Sequence, residues 1–244
     1  MKKKLPLIVI VIAVAAFAAW KFSKRHEFLY AGTVEATYVD ISPQLTTPIA
    51  TVEVREGYPV KKGDTLVTLS AEDVRLAAQI AQRDYERGLR LKQSGTLPDE
   101  QFDKLRFKRD DASLRDSWRT IVSPIDGTVV DRYREPGEMV NSSMKLLTLA
   151  DLKNVWAYIY VPQAVMSRLK LNQDIAVTVP ELDMEKINGR IEYIRPEAEF
   201  TPKNVQTREE RTRLVFGVKV SFLGANDDET LKPGMTIEMQ LPKD

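Results

Sequence analysis

The pattern of apolar and polar positions changes character twice along the chain. Short apolar runs broken by Pro and Gly fill the stretch from residue 31 to residue 70, which predicts β-strands. Residues 71–119 are rich in Ala, Leu, Arg, Glu and Gln and hold few β-branched residues, which predicts helix. Strand-like runs return at residue 120. The sequence therefore predicts a mainly β protein with one α-helical insertion.

The helical stretch divides at Ser94-Gly95, because Gly commonly lies just past a helix end. The two parts predict helices over 71–93 and from about residue 96 to residue 119. Two pairs have capping-box spacing: Ser70 with Asp73, and Thr96 with Asp99. Helices of similar length joined by a turn form an antiparallel hairpin, here with arms of about 30–35 Å.

Each predicted helix carries one narrow stripe of apolar or small residues. Its residues recur in steps of three and four: Ala78, Ala81, Tyr85 and Gly88 in the first helix, then Phe102, Leu105 and Ala112 in the second. Arg109 falls on the same spacing and is the charged residue that opposes this apolar pattern. Such a narrow stripe is typical of a two-helix coiled coil, and the remaining surface is charged. A helical pair packed on its own domain is the alternative.

A short internal repeat flanks the helical insertion. Residues 57–69 and 137–149 align without a gap, and five positions are identical: Gly57 and Gly137, Val60 and Val140, Leu66 and Leu146, Thr68 and Thr148, and Leu69 and Leu149. A shared pattern of this kind indicates two copies of one supersecondary unit. Each half, 31–70 and 120–151, is too short to bury its own core, so the halves must pack on each other.

The last part of the chain, 152–244, predicts a second β-rich domain. The run from Val155 to Val161 is a strong strand candidate. Further strands are expected at 175–179, 189–194, 214–222 and 235–241, with a short helix at 165–169 and a long polar hairpin loop at 201–213.

The N-terminal segment, 1–26, reads as an export signal. Three lysines precede an apolar run from Leu5 to Trp20 that, extended to Phe22, is long enough to cross a bilayer. A retained signal anchor and a signal peptide cleaved near Ala16-Phe17-Ala18 both fit. Either one places the rest of the chain in the periplasm, at the inner membrane.

Composition excludes several functions. The net charge is +1 with both signs mixed along the chain, so no nucleic-acid footprint is expected. The chain has no cysteine, and its single histidine is His26, so no disulfide, Cys-ligated metal or His-based catalytic site is expected in the exported body. We expect no enzyme activity and no cofactor, and Lys61 and Lys62 lie in a turn within one half, which disfavours a lipoyl carrier.

Three motifs in order resemble those of the HlyD-like membrane fusion protein family. Residues 53–66 look like a first lipoyl half-motif, 120–129 like a second, and Leu231-Lys-Pro-Gly-Met235 like the end of the family's β-barrel domain. The first half lacks the glycine usual near Thr47-Pro48. The resemblance implies a split lipoyl-like (barrel-sandwich hybrid) domain at 31–70 and 120–151, a hairpin at 71–119 and a β-barrel domain at 152–244.

The resemblance also implies partners. It implies an adaptor between an inner-membrane transporter and an outer-membrane channel of the TolC type, self-associated as a ring. Residues 200–211 look more like adaptors of ABC transporters than those of proton-driven (RND) pumps. The chain stops at the barrel, so the membrane-proximal domain of many adaptors is expected to be absent or reduced. An envelope scaffold without transport is the alternative.

The family's hairpin tip has an Arg, a Leu four residues later and a Ser seven residues after that. Arg87 and Leu91 match, whereas Pro98 takes the third position. The expected partner-binding residues at the tip are Arg87, Leu91, Ser94, Gly95, Thr96, Leu97, Pro98 and Asp99.

Overall fold

The computed structural model describes residues 30–182, 185–200, 214–222, 224 and 226–239. The predicted export signal at 1–26 and the predicted loop at 201–213 lie outside the described residues. Within the described ranges, no helix combines the length and the apolar character that a membrane span requires. The chain forms two compact units, one of Val34–Trp156 with Phe222–Gly234 and one of the described parts of Met1–Thr33, Ala157–Ser221 and Met235–Asp244.

The first unit combines two small sheets with a helical hairpin. Its elements are β1 (Tyr30–Ile41), β2 (Thr47–Val52), β3 (Pro59–Val60), β4 (Thr65–Leu69), α1 (Glu72–Gln93), α2 (Asp99–Ser117), β5 (Thr120–Val122), β6 (Gly127–Arg132), β7 (Met139–Val140) and β8 (Leu147–Pro162). One sheet has the order β5-β4-β2-β7, and the other contains β1-β8-β6-β3. The helical hairpin therefore interrupts a β domain, as the sequence predicts.

The internal repeat becomes an exchange of strands between the two halves. Strand β3 of the first half pairs with β6, and the equivalent β7 of the second half pairs with β2. The Gly57 N–H donates to the Val129 carbonyl at 2.8 Å, and the Gly137 N–H donates to the Ile49 carbonyl at 2.8 Å. Both glycines have positive φ, +80° and +90°, which explains why Gly recurs at this turn.

The core of this β domain comes from both halves. Twelve buried residues form one cluster: Ile41, Ile49, Val54, Val60, Leu66, Val67, Leu69, Val129, Val140, Leu146, Leu147 and Leu149. The repeated leucines are fully buried, with exposed fractions of 0% for Leu66 and 1% for Leu146. The halves bury their apolar faces against each other because neither has enough residues to enclose a core alone.

The halves differ where the first lacks its expected glycine. A Cβ on Gly127 would meet the Ala150 carbonyl oxygen at 2.6 Å, so the second half needs a glycine there. Thr47 occupies the corresponding position of the first half, since it pairs with Val140 as Gly127 pairs with Val60. Its hydroxyl donates to the Ser70 carbonyl at 2.7 Å. A hydrogen bond thus takes the place of the close backbone approach.

The second unit is a six-stranded barrel. It adds α3 (Gln163–Met166), β9 (Asp174–Val179), a 3-10 turn (Pro180–Leu182), β10 (Glu185–Ile194), β11 (Glu199–Phe200), β12 (Leu214–Ser221) and β13 (Thr236–Met239). The strand order is β12-β10-β9-β13-β1-β8, and β8 pairs back with β12 to close the barrel. Alternate residues such as Ile159, Val177 and Val220 are fully buried, which is the period-two pattern of a strand with one buried face. The predicted strands of this region are confirmed within the described residues, whereas the short helix predicted at 165–169 lies at Gln163–Met166.

Both predicted capping boxes are wrong. Helix α1 has Ala71 at its N-cap position, without a side-chain cap, because the backbone of Ser70 is engaged by Thr47 and Pro48 of the β domain. Helix α2 has Pro98 at its N-cap position, and the Thr96 amide instead donates to a carbonyl of α1. Helix α2 also ends at Ser117, two residues before the predicted end.

Candidate docking site at the hairpin tip

The seam between α1 and α2 follows the predicted stripe. Ala81, Gly88 and Phe102 are buried between the helices. The rings of Tyr85 and Phe102 lie 5.4 Å apart between centroids. The Arg109 guanidinium lies 4.0 Å from the centroid of the Tyr85 ring. The positive charge of Arg109 in the seam is therefore stabilised by a cation–π contact with Tyr85.

The two helices pack closely near the tip, at Gly88. A Cβ at this position would overlap Cδ1 of Leu105 and would lie 3.4 Å from Cδ2 of Leu97. Leu97 therefore lies against the inner side of the hairpin, where it is half-buried. Its position fits a role in closing the end of the seam.

The turn after α1 is a Schellman motif. The Gly95 N–H donates to the Lys92 carbonyl at 2.9 Å, and the Thr96 N–H donates to the Leu91 carbonyl at 2.9 Å. Gly95 has φ +74°, the left-handed conformation that this motif requires. The Ser94 hydroxyl donates to the Leu91 carbonyl at 2.9 Å. The backbone of the tip is thus ordered by local hydrogen bonds.

An ion pair and a proline start the second arm. Pro98 is extended, with φ −60° and ψ 148°, and its carbonyl accepts the N–H groups of Gln101 and Phe102 at 3.1 Å. The Asp99 carboxylate lies 3.2 Å from Lys92 Nζ, which also lies 4.4 Å from the centroid of the Phe102 ring. A carboxylate in the first turn also interacts favourably with the helix dipole.

The expected tip residues divide into an outward and an inward group. Leu91 is 42% exposed, and Arg87 is exposed beside Asp84, with 3.5 Å between charged atoms. Ser94, Gly95, Thr96, Pro98 and Asp99 are exposed in the turn. Leu97 is the member that lies inward. The outward group exposes one apolar side chain, one arginine paired with Asp84, and several backbone and hydroxyl groups.

The described residues offer no sign of metal chemistry. They hold no group of three or more His, Asp or Glu side chains placed to bind an ion. One carboxyl group with a perturbed pKa lies in the β domain. There the Lys145 ammonium, and then the Thr148 hydroxyl, hold the pKa of Asp40 below its ordinary value by hydrogen bonding.

Sequence reasoning missed a set of exposed apolar residues on the hairpin. Leu76 and Ile80 of α1 and Phe107 and Leu114 of α2 all face solvent. They are spaced four and seven residues apart, so each pair shares a helix face that differs from the face of the seam. This spacing is the sequence signal that could have identified them. These residues lie away from the tip.

Comparison with known families matches almost all of the chain after residue 36. Residues 37–151 match the family model for a CzcB-like barrel-sandwich hybrid domain. Residues 154–244 match the family model for a CusB-like β-barrel domain.

Curated relatives match the chain over about half its length. A membrane protein of Acidithiobacillus ferridurans, named UPF0194, is 35% identical over 122 residues, which are 50% of this chain and 36% of that protein. A UPF0194 membrane protein of Citrobacter koseri is 33% identical over 120 residues, 49% of this chain and 36% of that protein. The match thus spans about a third of the length of these relatives.

Solved structures show the same fold. A MacA-MexA chimeric protein carrying the Pseudomonas aeruginosa MexA α-hairpin domain is 20% identical, covers 88% of this chain and 81% of its own, and has a TM-score of 0.69. A membrane fusion protein of Streptococcus pneumoniae is 21% identical, covers 89% of this chain and 99% of its own, and has a TM-score of 0.62. Because the two family models match consecutive stretches that together cover most of the chain, the chain belongs to the membrane fusion (adaptor) protein family.

Proposed function

We propose that this protein is the periplasmic adaptor subunit of a bacterial transport system. It links an inner-membrane exporter, with an ABC transporter favoured and an RND pump as the alternative, to an outer-membrane channel of the TolC type. Efflux or secretion is then the task of the assembly, and the adaptor itself carries out no chemistry. The body is periplasmic and held at the inner membrane, and the copies associate with one another.

One observation carries this proposal. A coiled-coil hairpin of two long helices projects from the split barrel-sandwich domain, and its ordered tip presents Leu91 and Arg87 to solvent. An exposed leucine beside a charged group is suited to a docking contact, because burial of the leucine supplies affinity and the arginine can make a charge-assisted hydrogen bond.

The location can be tested first. Alkaline phosphatase fused after residue 150 should be active in intact cells, because it acquires its disulfides only outside the cytoplasm. A cytoplasmic reporter fused at the same place should be inactive. An inactive phosphatase with an active cytoplasmic reporter would overturn the proposal as a whole.

The docking role is tested by a photo-crosslinking amino acid placed at position 91 of the full chain. In cells, irradiation should join the chain to the outer-membrane channel, identified by mass spectrometry. The control position is Tyr58, an exposed aromatic residue that lies in the β domain and not at the tip. Equal channel crosslinking from both positions, or none from position 91, would contradict docking at the tip.

The pump type is tested by crosslinking the chain to its inner-membrane partner. Membranes are crosslinked with a lysine-specific reagent, and the chain is purified through a C-terminal tag. Recovery of an ABC permease with its ATPase supports the favoured partner, whereas recovery of an RND pump replaces it. Recovery of neither, with the channel crosslink also absent, favours the envelope scaffold.

A further inference from the structure

A groove lies between α1 and α2 on one side of the seam, in the part of each helix that is nearer in sequence to the β domain. Its volume is about 590 Å³. Eight residues line it, five from α1 and three from α2: Arg75, Ala78, Gln79, Gln82 and Arg83, then Arg109, Ser113 and Asp116. Residues three and four positions apart share a helix face, so each helix turns one row of side chains towards this groove. None of the expected tip residues lines it.

The side chains of the groove are mainly hydrogen-bond donors, because three of them are arginines and the glutamines and the serine add amide and hydroxyl groups. Asp116 is the one acidic member, and its carboxylate is already engaged by Arg119 at 3.1 Å. Arg75 is also paired within the chain, since its Nε donates to the Glu72 carboxylate at 2.7 Å. The end of the groove at Arg75 and Asp116 is therefore neutralised by the protein itself.

Arg109 is a fixed cation whose donors are not used. Its side chain is 27% exposed, and the Tyr85 ring holds the guanidinium in place. Asp110 Oδ1 lies 2.6 Å from Nε, but the two atoms are not aligned as a hydrogen bond, and Nε is buried without an acceptor. None of the described residues accepts a hydrogen bond from this guanidinium. A poorly hydrated cation with unpaired N–H groups gains free energy when a ligand oxygen accepts from it.

Arg83 supplies a second cation from the opposite helix. Its Nε donates to the Gln79 carbonyl within α1 at 3.3 Å, and no carboxylate of the described residues pairs with it. The next residue, Asp84, lies 4.0 Å from Lys108 Nζ, so Arg83 and Arg109 lie at about the same height of the hairpin. Both line the same groove. Two cations at one level repel each other, and an anion bound between them removes that repulsion.

The donor set fits a phosphate group better than other ligand groups. A guanidinium is a planar fork of donors that matches the oxygens of a phosphate or a carboxylate. Two forks from opposite helices, with the exposed Ser113 hydroxyl and Gln79 amide beside them, offer more donors than the two oxygens of a carboxylate readily accept. A phosphate monoester has three strong acceptor oxygens. An apolar ligand would leave these donors unpaired.

We propose that this groove binds a small phosphate-bearing molecule. Its phosphate is held between Arg83 of α1 and Arg109 of α2, and the rest of the molecule lies along Gln79 and Ser113. A phosphate held in this way joins the two helices, so the ligand stabilises the hairpin. The site lies on the arms and does not depend on docking at the tip. A free organic phosphate and a phospholipid headgroup share this chemistry, and the experiment distinguishes them.

Isothermal titration calorimetry of the purified full chain, at constant ionic strength, measures the binding. Pyrophosphate and glycerol phosphate represent free phosphates, and short-chain phosphatidylglycerol represents a lipid headgroup; the tighter ligand identifies the source. Arg83→Gln should weaken binding roughly tenfold, because it removes a charge-assisted hydrogen bond. Arg83→Lys should weaken it less, since the charge remains and the fork is lost. The control is Arg106→Gln, an exposed arginine of α2 outside the groove that pairs with Asp103 at 3.2 Å, and it should bind as the wild type does.

Thermal unfolding supplies a second readout. Arg83 is exposed, so Arg83→Gln should melt like the wild type without ligand, and it should lose the rise in melting temperature that the phosphate ligand gives the wild type and Arg106→Gln. No binding of any of the three ligands at about 1 mM would overturn the proposal. Equal weakening by Arg83→Gln and Arg106→Gln would also overturn it, because it would show non-specific binding to surface cations. A channel crosslink from position 91 is independent of these results, so the two proposals fail separately.

Discussion

The β domain and the hairpin of this protein use apolar residues in opposite ways. In the β domain, two halves interlock around a cluster of twelve buried residues, and the leucines of the repeat are closed off from solvent. In the hairpin, three residues of α1 and α2 are buried, and several large apolar side chains remain exposed. Both regions have regular secondary structure, but only the first is enclosed by its own chain.

The difference separates the residues that hold the fold from those that are available to partners. A change in the β domain alters the free energy of unfolding because the lost contact has no replacement. A change on the exposed outer side of the hairpin is expected to leave the free energy of unfolding of the isolated chain almost unaffected. The predictions below are ordered from the largest expected effect on stability to the smallest.

The largest effect is expected from Leu66→Ala and Leu146→Ala, the equivalent leucines of the two halves. Each removes a fully buried side chain from the shared core and should lower the free energy of unfolding by about 3 kcal/mol. Urea unfolding of the purified chain measures it. The exposed Leu171→Ala is the control and should change stability little. If only one of the two core variants is destabilised, the halves do not share one core.

The next effect is expected at Asn226, a buried amide in the segment that joins β12 to β13. Its Nδ2 donates to the carbonyls of Leu152 at 2.7 Å and Leu231 at 3.0 Å, and its Oδ1 accepts the Leu231 N–H at 2.7 Å. Asn226→Leu leaves these buried groups unpaired and should lower stability by about 2 kcal/mol. Calorimetry should show a lowered melting temperature, and an unchanged one would mean that water replaces the amide.

A smaller and local effect is expected at the tip. Gly95→Ala forces an alanine into the left-handed conformation at φ +74°, which costs about 1 kcal/mol, although no neighbouring atom blocks the new methyl group. Hydrogen exchange should quicken at the amides of Thr96 and Leu97 and stay unchanged in β4. Faster exchange throughout the β domain would show that the hairpin and the sheets unfold together.

The smallest effect is expected at the ion pair of Asp40 and Lys145. Hydrogen bonds from Lys145 and Thr148 lower the pKa of Asp40 in the folded state. The ionised carboxylate therefore stabilises the fold at pH values above its ordinary pKa of about 3.9. This stabilisation is lost as the pH falls through the lower pKa of the folded state. Lys145→Met should raise the carboxyl titration midpoint in an NMR experiment. Lys153→Met should leave it unchanged, and equal shifts in both variants would refute the specific pairing.

The sequence was sufficient for the fold class, a mainly β protein with an inserted helical hairpin, because the signals of its elements are local and repeated. The Gly57 and Gly137 turns, the alternating strands and the narrow seam each reflect backbone or packing requirements that act over a few residues. The capping boxes were mispredicted although Ser70 and Thr96 have suitable side chains. The backbone of Ser70 is hydrogen-bonded to Thr47 and Pro48 of the β domain, and the Thr96 amide is hydrogen-bonded to Leu91 within the Schellman turn. The inward position of Leu97 also depends on Gly88 and Leu105, which sequence spacing alone does not bring together.

The domain bounds remain predictions. The partner-binding role of the tip also remains a prediction, because it concerns what the chain does in an assembly. Sequence spacing identified the tip residues as a group but did not separate Leu91, which faces outward, from Leu97, which faces the seam. That separation defines a matched pair of variants. One removes an exposed contact and the other removes a packing contact at nearly the same distance from the turn.

The central claim is that the tip serves docking and contributes little to the fold. The most direct measurement compares Arg87→Asp combined with Leu91→Ser against Leu97→Ser, in cells that depend on this chain for survival of a toxic compound. We predict that the double variant keeps its protein level, keeps its melting temperature within about 2 °C, and no longer supports survival. The Leu97→Ser variant should instead have a lower melting temperature. Survival of the double variant at the wild-type level would contradict the account.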